Sequence, residues 1–386
     1  MYKLFPLLIL LVTLLNCKKN DKNHIVKNEL LPIETSTIKE GTGKNAEIVF
    51  CLDATGSMGG LIDTAKEKIW DIVSRLAQSS DINSLKMGMI FYRDRGDSFI
   101  TKQIILTDDL DEAYSDLLEI TADGGGDSPE SVNQALNESI TNMSWSTNPK
   151  TYKTIFVIGD CPPHMNYKND VLYSESCKKA AEKNIIINTI KLGNACTDAI
   201  YHFKKMAECT NGEFLKLDQD ASDYSIETPY DTEINDISKN IDASRIYYGT
   251  NKEREANYIK KSKSMKVYDK GSTTANSSRA AYKNSKTGKK SAFGSQEIIE
   301  DYKTGKLKLK TIKDDKLPAE LKGKSIAEKE KIIKGFIEKR NTQDKNLKAL
   351  IKKKNDFIKA NKAKQKDTTS FSREVVKIME KQSKSN

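Results

Sequence analysis

The sequence predicts an α/β fold: a doubly wound, mostly parallel sheet, followed by an irregular connector and a Lys-rich helical tail. Three observations predict it. Residues 47–52 and 154–159 are almost unbroken apolar runs, as expected of strands buried on both faces. Segments with apolar residues at helical spacing alternate with further strand-like runs from residue 46 to residue 247. Such alternation gives a parallel sheet with helices on both sides.

The elements follow in order. Leu61, Ile62, Ala65, Ile69, Ile72, Val73 and Leu76 fall in helical phase after the first apolar run. Residues 85–92 and 99–106 read as the next two strands, and 110–120 and 129–143 as helices. The apolar strand 154–159 is followed by a helix near 171–183, a strand at 185–190, a helix at 198–209, a strand at 213–217 and a closing helix at 233–247. This Rossmann-like arrangement occupies residues 45–249. It places ligands at the carboxyl ends of strands, where the strand order reverses. Residues 250–316 are rich in Lys, Ser, Asn, Thr and Gly through Gly294 and read as an irregular connector. The tail, 317–386, is helical from Ser325. Its pairs Phe336-Ile337, Leu350-Ile351 and Phe357-Ile358 share one seven-residue phase, giving one apolar stripe on a basic helix.

The formal net charge of the 386 residues is +10, and residues 325–386 hold 18 Lys and Arg against 8 Asp and Glu. The tail therefore carries the whole excess, and the rest of the chain is balanced. Lys dominates over Arg there, which disfavours bidentate phosphate recognition, and aromatics are not interleaved as single-strand binding requires. The stripe is expected to pack on the parent domain or on a second copy, and nucleic acid is not the expected partner.

At the N-terminus, Lys3 precedes an apolar run over residues 4–15, the length of a signal-peptide core and too short to span a bilayer. It ends in Leu14-Leu15-Asn16-Cys17, which resembles a lipoprotein signal-peptidase site, although Asn16 departs from the usual small residue. The resemblance implies removal of residues 1–16, a lipidated Cys17 and a polar tether over 17–44. Of the other cysteines, Cys51 lies in an apolar strand and reads as a small core residue. Cys196 and Cys209 flank a predicted helix that would hold them roughly 20 Å apart, too far to bridge. Cys161 with Cys177 is the pairing the spacing leaves open. With no Cys-x-x-Cys pair and only His24, His164 and His202, a zinc site is not supported.

The chemistry-bearing segment is Asp53-Ala54-Thr55-Gly56-Ser57, directly after the first strand. One carboxylate and two hydroxyls at alternate positions on a tight loop can aim three oxygens at one point, the donor type a hard cation requires. A capping role accounts for one of the three, not for all of them. Asp160 ends the other apolar strand and supplies further charge. The loop Gly124-Gly125-Gly126-Asp127-Ser128-Pro129-Glu130 contributes a third segment, with Asp127 as its candidate ligand and Glu130 as the substitute.

These residues resemble the metal-ion-dependent adhesion site of von Willebrand factor A domains. That family's signature is Asp-x-Ser-x-Ser, a Thr in a later loop and an Asp after a central strand. Asp53, Ser57 and Asp160 match, Thr55 replaces the middle Ser, and Gly-Gly-Gly-Asp stands where Gly-Gly-Thr is usual. Residues 92–97, the Gly-rich loop and Ile158-Gly159-Asp160-Cys161-Pro162-Pro163-His164 look like a bacterial subgroup of the family. The segment 317–325 resembles tails of the same proteins. The resemblance implies Mg²⁺ (or Mn²⁺ or Ca²⁺) on Asp53, Thr55, Ser57, Asp127 and Asp160, and docking of a protein partner. An additional carboxylate from Asp127 would partly neutralise the ion and weaken its demand for an acidic ligand from outside.

Arg95-Gly96-Asp97 spells an integrin-binding tripeptide, but Gly and Asp are expected in a turn between strands. His164 reads as an exposed residue on a rigid loop. No nucleophile–His–acid set and no phosphate-cradling Gly-x-x-x-x-Gly-Lys loop is present in the sequence. The leading expectation is a cell-envelope lipoprotein, on the periplasmic or cell-surface side, that binds a partner through a cation. Second is a scaffolding lipoprotein that oligomerises through its tail, its metal only stabilising the fold. A metal-dependent hydrolase is the weakest reading.

Overall fold

The computed structural model describes residues 43–78, 82–126, 128–219, 225–362 and 370–385. The expected signal segment, Cys17 and all but the end of the expected tether lie outside these residues, as does Asp127. A six-stranded sheet forms the centre, with β1 (Lys44–Asp53), β2 (Ile82–Tyr92), β3 (Thr101–Thr107), β4 (Tyr152–Gly159), β5 (Ile186–Leu192) and β6 (Phe214–Leu217). The strand order is β3-β2-β1-β4-β5-β6. All pairings are parallel except the β2–β3 edge. The order reverses between β1 and β4, so the ends of the two most apolar strands share one crevice.

Side-chain alternation along each strand divides the core into two layers. Phe50, Leu52, Phe156 and Ile158 face α1 (Gly59–Gln78) and α2 (Leu110–Leu117). Val49, Cys51, Ile155 and Val157 face α3 (Val132–Thr141), α4 (Tyr173–Glu182) and α5 (Ala199–Glu208). Cys51 is a buried free thiol, pushed up to about 12 by burial.

The expected irregular connector is corrected by the structure. After α6 (Asp231–Ala243) it holds α7 (Asn251–Lys270), α8 (Thr273–Asn284) and α9 (Ile298–Lys303). Helix α7 opens with a capping box between Thr250 and Glu253, and Ser272 caps α8 by accepting from the Ala275 N–H. Helix α8 is buried from Ala275 to Tyr282 although half of those residues are polar. Small side chains let it lie close to α1, and its one large charge is neutralised. Arg279 donates to both oxygens of Asp111 on α2 at 2.6 Å and to Asp242 on α6 at 3.1 Å. Lys283 donates to Asp242 at 2.5 Å. Burial opposes ionisation of Asp111, but Arg279 and Lys283 outweigh it and hold the carboxyl well below its usual range.

The tail begins in α10 (Ile326–Lys362) and ends in α11 (Phe371–Ser385). Its apolar stripe packs within the chain. Ile333, Phe336 and Ile337 join Ile246, Ile298 and Leu321, while Leu347 and Leu350 join Ile234, Ile241 and Ala280. Arg340 donates to both oxygens of Glu297 at 3.0 Å, and Lys354 lies 2.9 Å from Asp231. Helix α11 returns to the sheet, where Phe371, Val375 and Met379 enter the first core layer. There Gln382 accepts from the Tyr152 hydroxyl at 2.8 Å and donates to Asn188 at 2.8 Å. No described helix is long and apolar enough to cross a membrane.

Disulfides join Cys161 to Cys196 and Cys177 to Cys209, so the pairing left open by spacing, Cys161 with Cys177, is not formed. The partners sit on loops or helices that become neighbours only once β4 and β5 pair. A non-reducing peptide map should recover both bridges and a free Cys51; a Cys161–Cys177 peptide would contradict the fold. Removing one partner of a buried ion network leaves a charge uncompensated. Arg279→Leu should therefore lower unfolding stability by about 3–5 kcal/mol. Denaturant titration checks this, and a loss under about 1 kcal/mol would show the network to be dispensable.

Candidate functional site

β1 delivers Asp53 to the crevice, fully buried. Its Oδ1 accepts from the Thr55 backbone N–H at 2.9 Å and from the Thr55 hydroxyl at 2.7 Å. The Thr55 and Ser57 hydroxyl oxygens lie 3.2 Å apart. The loop thus gathers one carboxylate and two hydroxyls before α1 begins. β4 delivers Asp160 one residue beyond Gly159. Its Oδ2 accepts from the Gln219 side chain at 3.1 Å. A Cβ on Gly159 would lie 2.2 Å from the Tyr92 hydroxyl and 3.0 Å from Asp53 Oδ2. Only glycine there allows Asp53 to sit this close to β4.

Glu130 arrives from a third segment. A short parallel bridge pairs it with Pro163: the Glu130 N–H donates to the Pro162 carbonyl at 2.9 Å, and the His164 N–H donates to the Glu130 carbonyl at 3.0 Å. Gly125, at φ +82°, packs between this residue and the first loop. A Cβ there would lie 3.2 Å from the Thr55 Cβ and 3.6 Å from Glu130 Oε1.

Three buried carboxylate oxygens here lack any hydrogen-bond partner: Asp53 Oδ2, Asp160 Oδ1 and Glu130 Oε2. Burial, with a smaller contribution from Asp160, pushes the Asp53 carboxyl up to about 7 against the pull of its Thr55 hydrogen bonds. Although the Asp160 backbone N–H eases the Asp53 charge slightly, it leaves Oδ2 unsatisfied. Burial and then the charges of Asp53, Asp94 and Asp160 push Glu130 up to about 9. Among the described residues no group of three or more His, Cys, Asp and Glu has the arrangement of a metal cluster. The donor set in question includes two hydroxyls.

Several supporting residues stood out in the sequence only as members of longer segments, with no structural role assigned to them. Arg93 is buried and clamps three loops, donating to the Ala54 carbonyl at 3.0 Å, Ser98 at 2.7 Å and the Thr121 carbonyl at 2.8 Å. Asp94 accepts from Ser131 at 2.9 Å and Tyr167 at 2.8 Å, and lies 3.3 Å from His164 Nε2. His164 is therefore buried, correcting its reading as an exposed loop residue. The tripeptide residues are engaged internally: Arg95 pairs with Asp170 and covers the Tyr167 ring, and Asp97 accepts from the Gly125 N–H at 3.0 Å. Lys191, near the end of β5, went unread in the sequence, where a charge beside an apolar run was its signal. Its ammonium is buried and donates to the carbonyls of Leu192, Gly193 and Ala195, fixing the loop that Cys196 ties to Cys161.

Residues 47–219 match a family model described as the von Willebrand factor A domain. This region is a von Willebrand factor A domain. The chain is also 26% identical over 188 residues to an ariadne-like RING finger protein of Acanthamoeba polyphaga mimivirus. That match covers 45% of this chain and 18% of the viral protein. Structures of proximal thread matrix protein 1 from the mussel byssus are similar over 46% of this chain and 43% of theirs. One is 14% identical with a TM-score of 0.36. Another, with a zinc-occupied MIDAS motif, is 11% identical with a TM-score of 0.35. The chain thus spans less than half of the length of these relatives.

The carboxyl shifts set a pH dependence for the metal-free domain. Asp53 and Glu130 hold their protons more tightly when folded than when unfolded. Raising the pH through the interval between their unfolded values, near 4, and their folded values removes protons the folded state prefers to keep. Stability contributed here is present at low pH and lost as the pH rises toward about 9. Melts of EDTA-treated protein should show a falling Tm across this window, and Asp53→Asn should flatten the fall. A Tm that rises there would contradict the arrangement.

Proposed function

We propose that the domain binds a divalent cation, Mg²⁺ or a similar hard ion such as Mn²⁺ or Ca²⁺, and docks a protein partner over it. The observation that carries this reading is the pair of orphaned, buried oxygens, Asp53 Oδ2 and Asp160 Oδ1, beside the hydroxyls of Thr55 and Ser57. The residues fit such an ion. All are oxygen donors, and burial disfavours the Asp53 carboxylate as an anion until a positive charge joins it. When bound, the ion would offer a coordination position to an oxygen from outside.

The chain's own residues do the rest. Asp53 orients the Thr55 hydroxyl by accepting its hydrogen bond, which leaves the hydroxyl lone pairs facing away from Asp53. Gln219 fixes the Asp160 carboxylate from behind. Arg93 holds the first loop against the strand 2 and Thr121 segments, so the donors are organised before any ion arrives. The vWA domain supports a binding role over catalysis, and no reaction is assigned. A lipid on Cys17 that tethers the protein in the cell envelope completes the reading.

The test is a pull-down from envelope extract with the full chain in Mg²⁺. EDTA should abolish partner capture. Asp53→Ala should do the same while retaining the circular dichroism spectrum of the folded protein. Capture that survives both treatments would sink the proposal.

A further inference from the structure

We infer that the cleft between α2, α7 and α8 is a binding site for a small monovalent anion of the size and chemistry of a carboxylate group. The cleft lies beyond the end of β3 that is remote from Asp53: Thr101 pairs with Tyr92, the neighbour of Asp53, whereas Thr107 pairs with Met87. The inference does not depend on the cation reading.

The charges here do not balance. Three cations meet with little access to water. The Arg279 side chain is fully buried, that of Arg245 is 5% exposed and that of Lys283 is 11% exposed. Two carboxylates answer them, and both are fully engaged. Asp111 accepts from Arg279 through both oxygens, and from Ser264 and Lys283 through Oδ2. Asp242 accepts from Lys283 through Oδ1, and from Tyr268 and Arg279 through Oδ2. Arg245 is left over. Its Nε donates to the Asp242 backbone carbonyl at 3.1 Å and stands 3.9 Å from the Asp242 carboxylate. Its Nη2 is buried without a hydrogen-bond partner. One positive charge is therefore in excess, in a setting where an uncompensated charge is costly. Lys283 registers it. Burial pulls the ammonium below its usual range, Asp111 and Asp242 support it, and the Arg279 and Arg245 charges pull it down further.

The surroundings leave room for a counter-charge. Arg245 and Lys283 both line the cleft, with Tyr247, Asn257, Ser264 and Ala292. About 30 Å³ of it is open to water-sized groups, more than the about 10–15 Å³ that one water needs, which suits a carboxylate group rather than a bulky anion. Lys283 spends two of its three N–H groups on the acids, so both cations have a donor to give. The acids at the mouth do not oppose entry strongly. Asp109 caps α2 through Oδ1 and accepts from Lys260 through Oδ2, and Asp108 is exposed to water. A monovalent anion on Arg245 and Lys283 brings the buried set to neutrality and gives the guanidinium a charge-assisted hydrogen bond.

Isotope-labelled formate serves as the probe, its resonance followed on the full chain in EDTA, so that no metal ion can hold it. Wild type should broaden the formate line saturably, and formamide, the neutral counterpart, should not bind. Arg245→Met should weaken formate binding about tenfold or more, the loss expected for a hydrogen bond to a charged group. Ala292→Leu, which narrows the cleft from a half-buried position on its wall, should weaken it as well. Absence of saturable binding to wild type, equal binding of formamide, or unchanged affinity in either folded variant would each overturn the inference. If Arg245→Met does not fold, Ala292→Leu and the formamide contrast decide: loss of formate binding with selectivity for the anion supports the site, and any other result overturns it. Failure here leaves the cation reading untouched, because EDTA removes that site from the experiment.

Discussion

Asp53 and Asp160 stand at the ends of adjacent parallel strands, buried, with like charges that oppose their approach. Much of the surrounding structure exists to hold that arrangement. Gly159 leaves out the side chain that would separate the strands, and the Tyr92 hydroxyl closes the gap by donating to the Ile158 carbonyl at 3.1 Å. Arg93 fastens the β1 loop from one side. On the other side, the Cys161–Cys196 bridge and the caged Lys191 ammonium fasten the loops after β4 and β5. Each of these is a constraint on backbone position, and together they keep donors aligned that would otherwise move apart.

The C-terminal helices belong to the same mechanical system. Helix α1 starts at the Asp53 loop and runs beneath α8 and α11. Anchoring α1 therefore anchors the loop. The Arg279–Asp111–Asp242–Lys283 network ties α2, α6 and α8 together, and Gln382 ties α11 to β4 and β5 through Tyr152 and Asn188. The basic tail is thus a clamp on the domain. Its Lys residues face solvent on the side opposite the stripe, while its few buried cations each meet an acid, as Arg340 meets Glu297.

The sheet and the first half of the site were legible because both rest on local pattern. Continuous apolar runs over β1 and β4 have no other reading in an alternating chain, and Asp53, Thr55 and Ser57 lie within one loop. What was not legible depends on neighbours set by the fold. Helices α7 and α8 read as irregular because α8 buries Asn276, Ser277, Ser278 and Arg279, whose partners lie on α1, α2, α6, α7 and α10. The cysteine pairs follow the β4–β5 pairing and not the spacing. Glu130 was named only as the substitute for Asp127, and its bridge to Pro163 was invisible until the two loops met. His164 misled for the same reason, since Asp94 is 70 residues away in sequence.

A site of this kind is costly to the fold that carries it. Three carboxylates without full partners lower the stability of the metal-free domain, and strained or charged sites persist only where surrounding packing over-determines them. Here the extra packing is on the α1 face, where α7, α8 and α11 add Val267, Ala275, Tyr282, Val375 and Met379 to the core. The opposite layer receives two disulfides in place of extra helices. Helix α1 carries both loads: it begins at the Asp53 loop and packs along its length against α8 and α11, so the packing that offsets the cost of the buried carboxylates is applied to the element that holds the first of them in place.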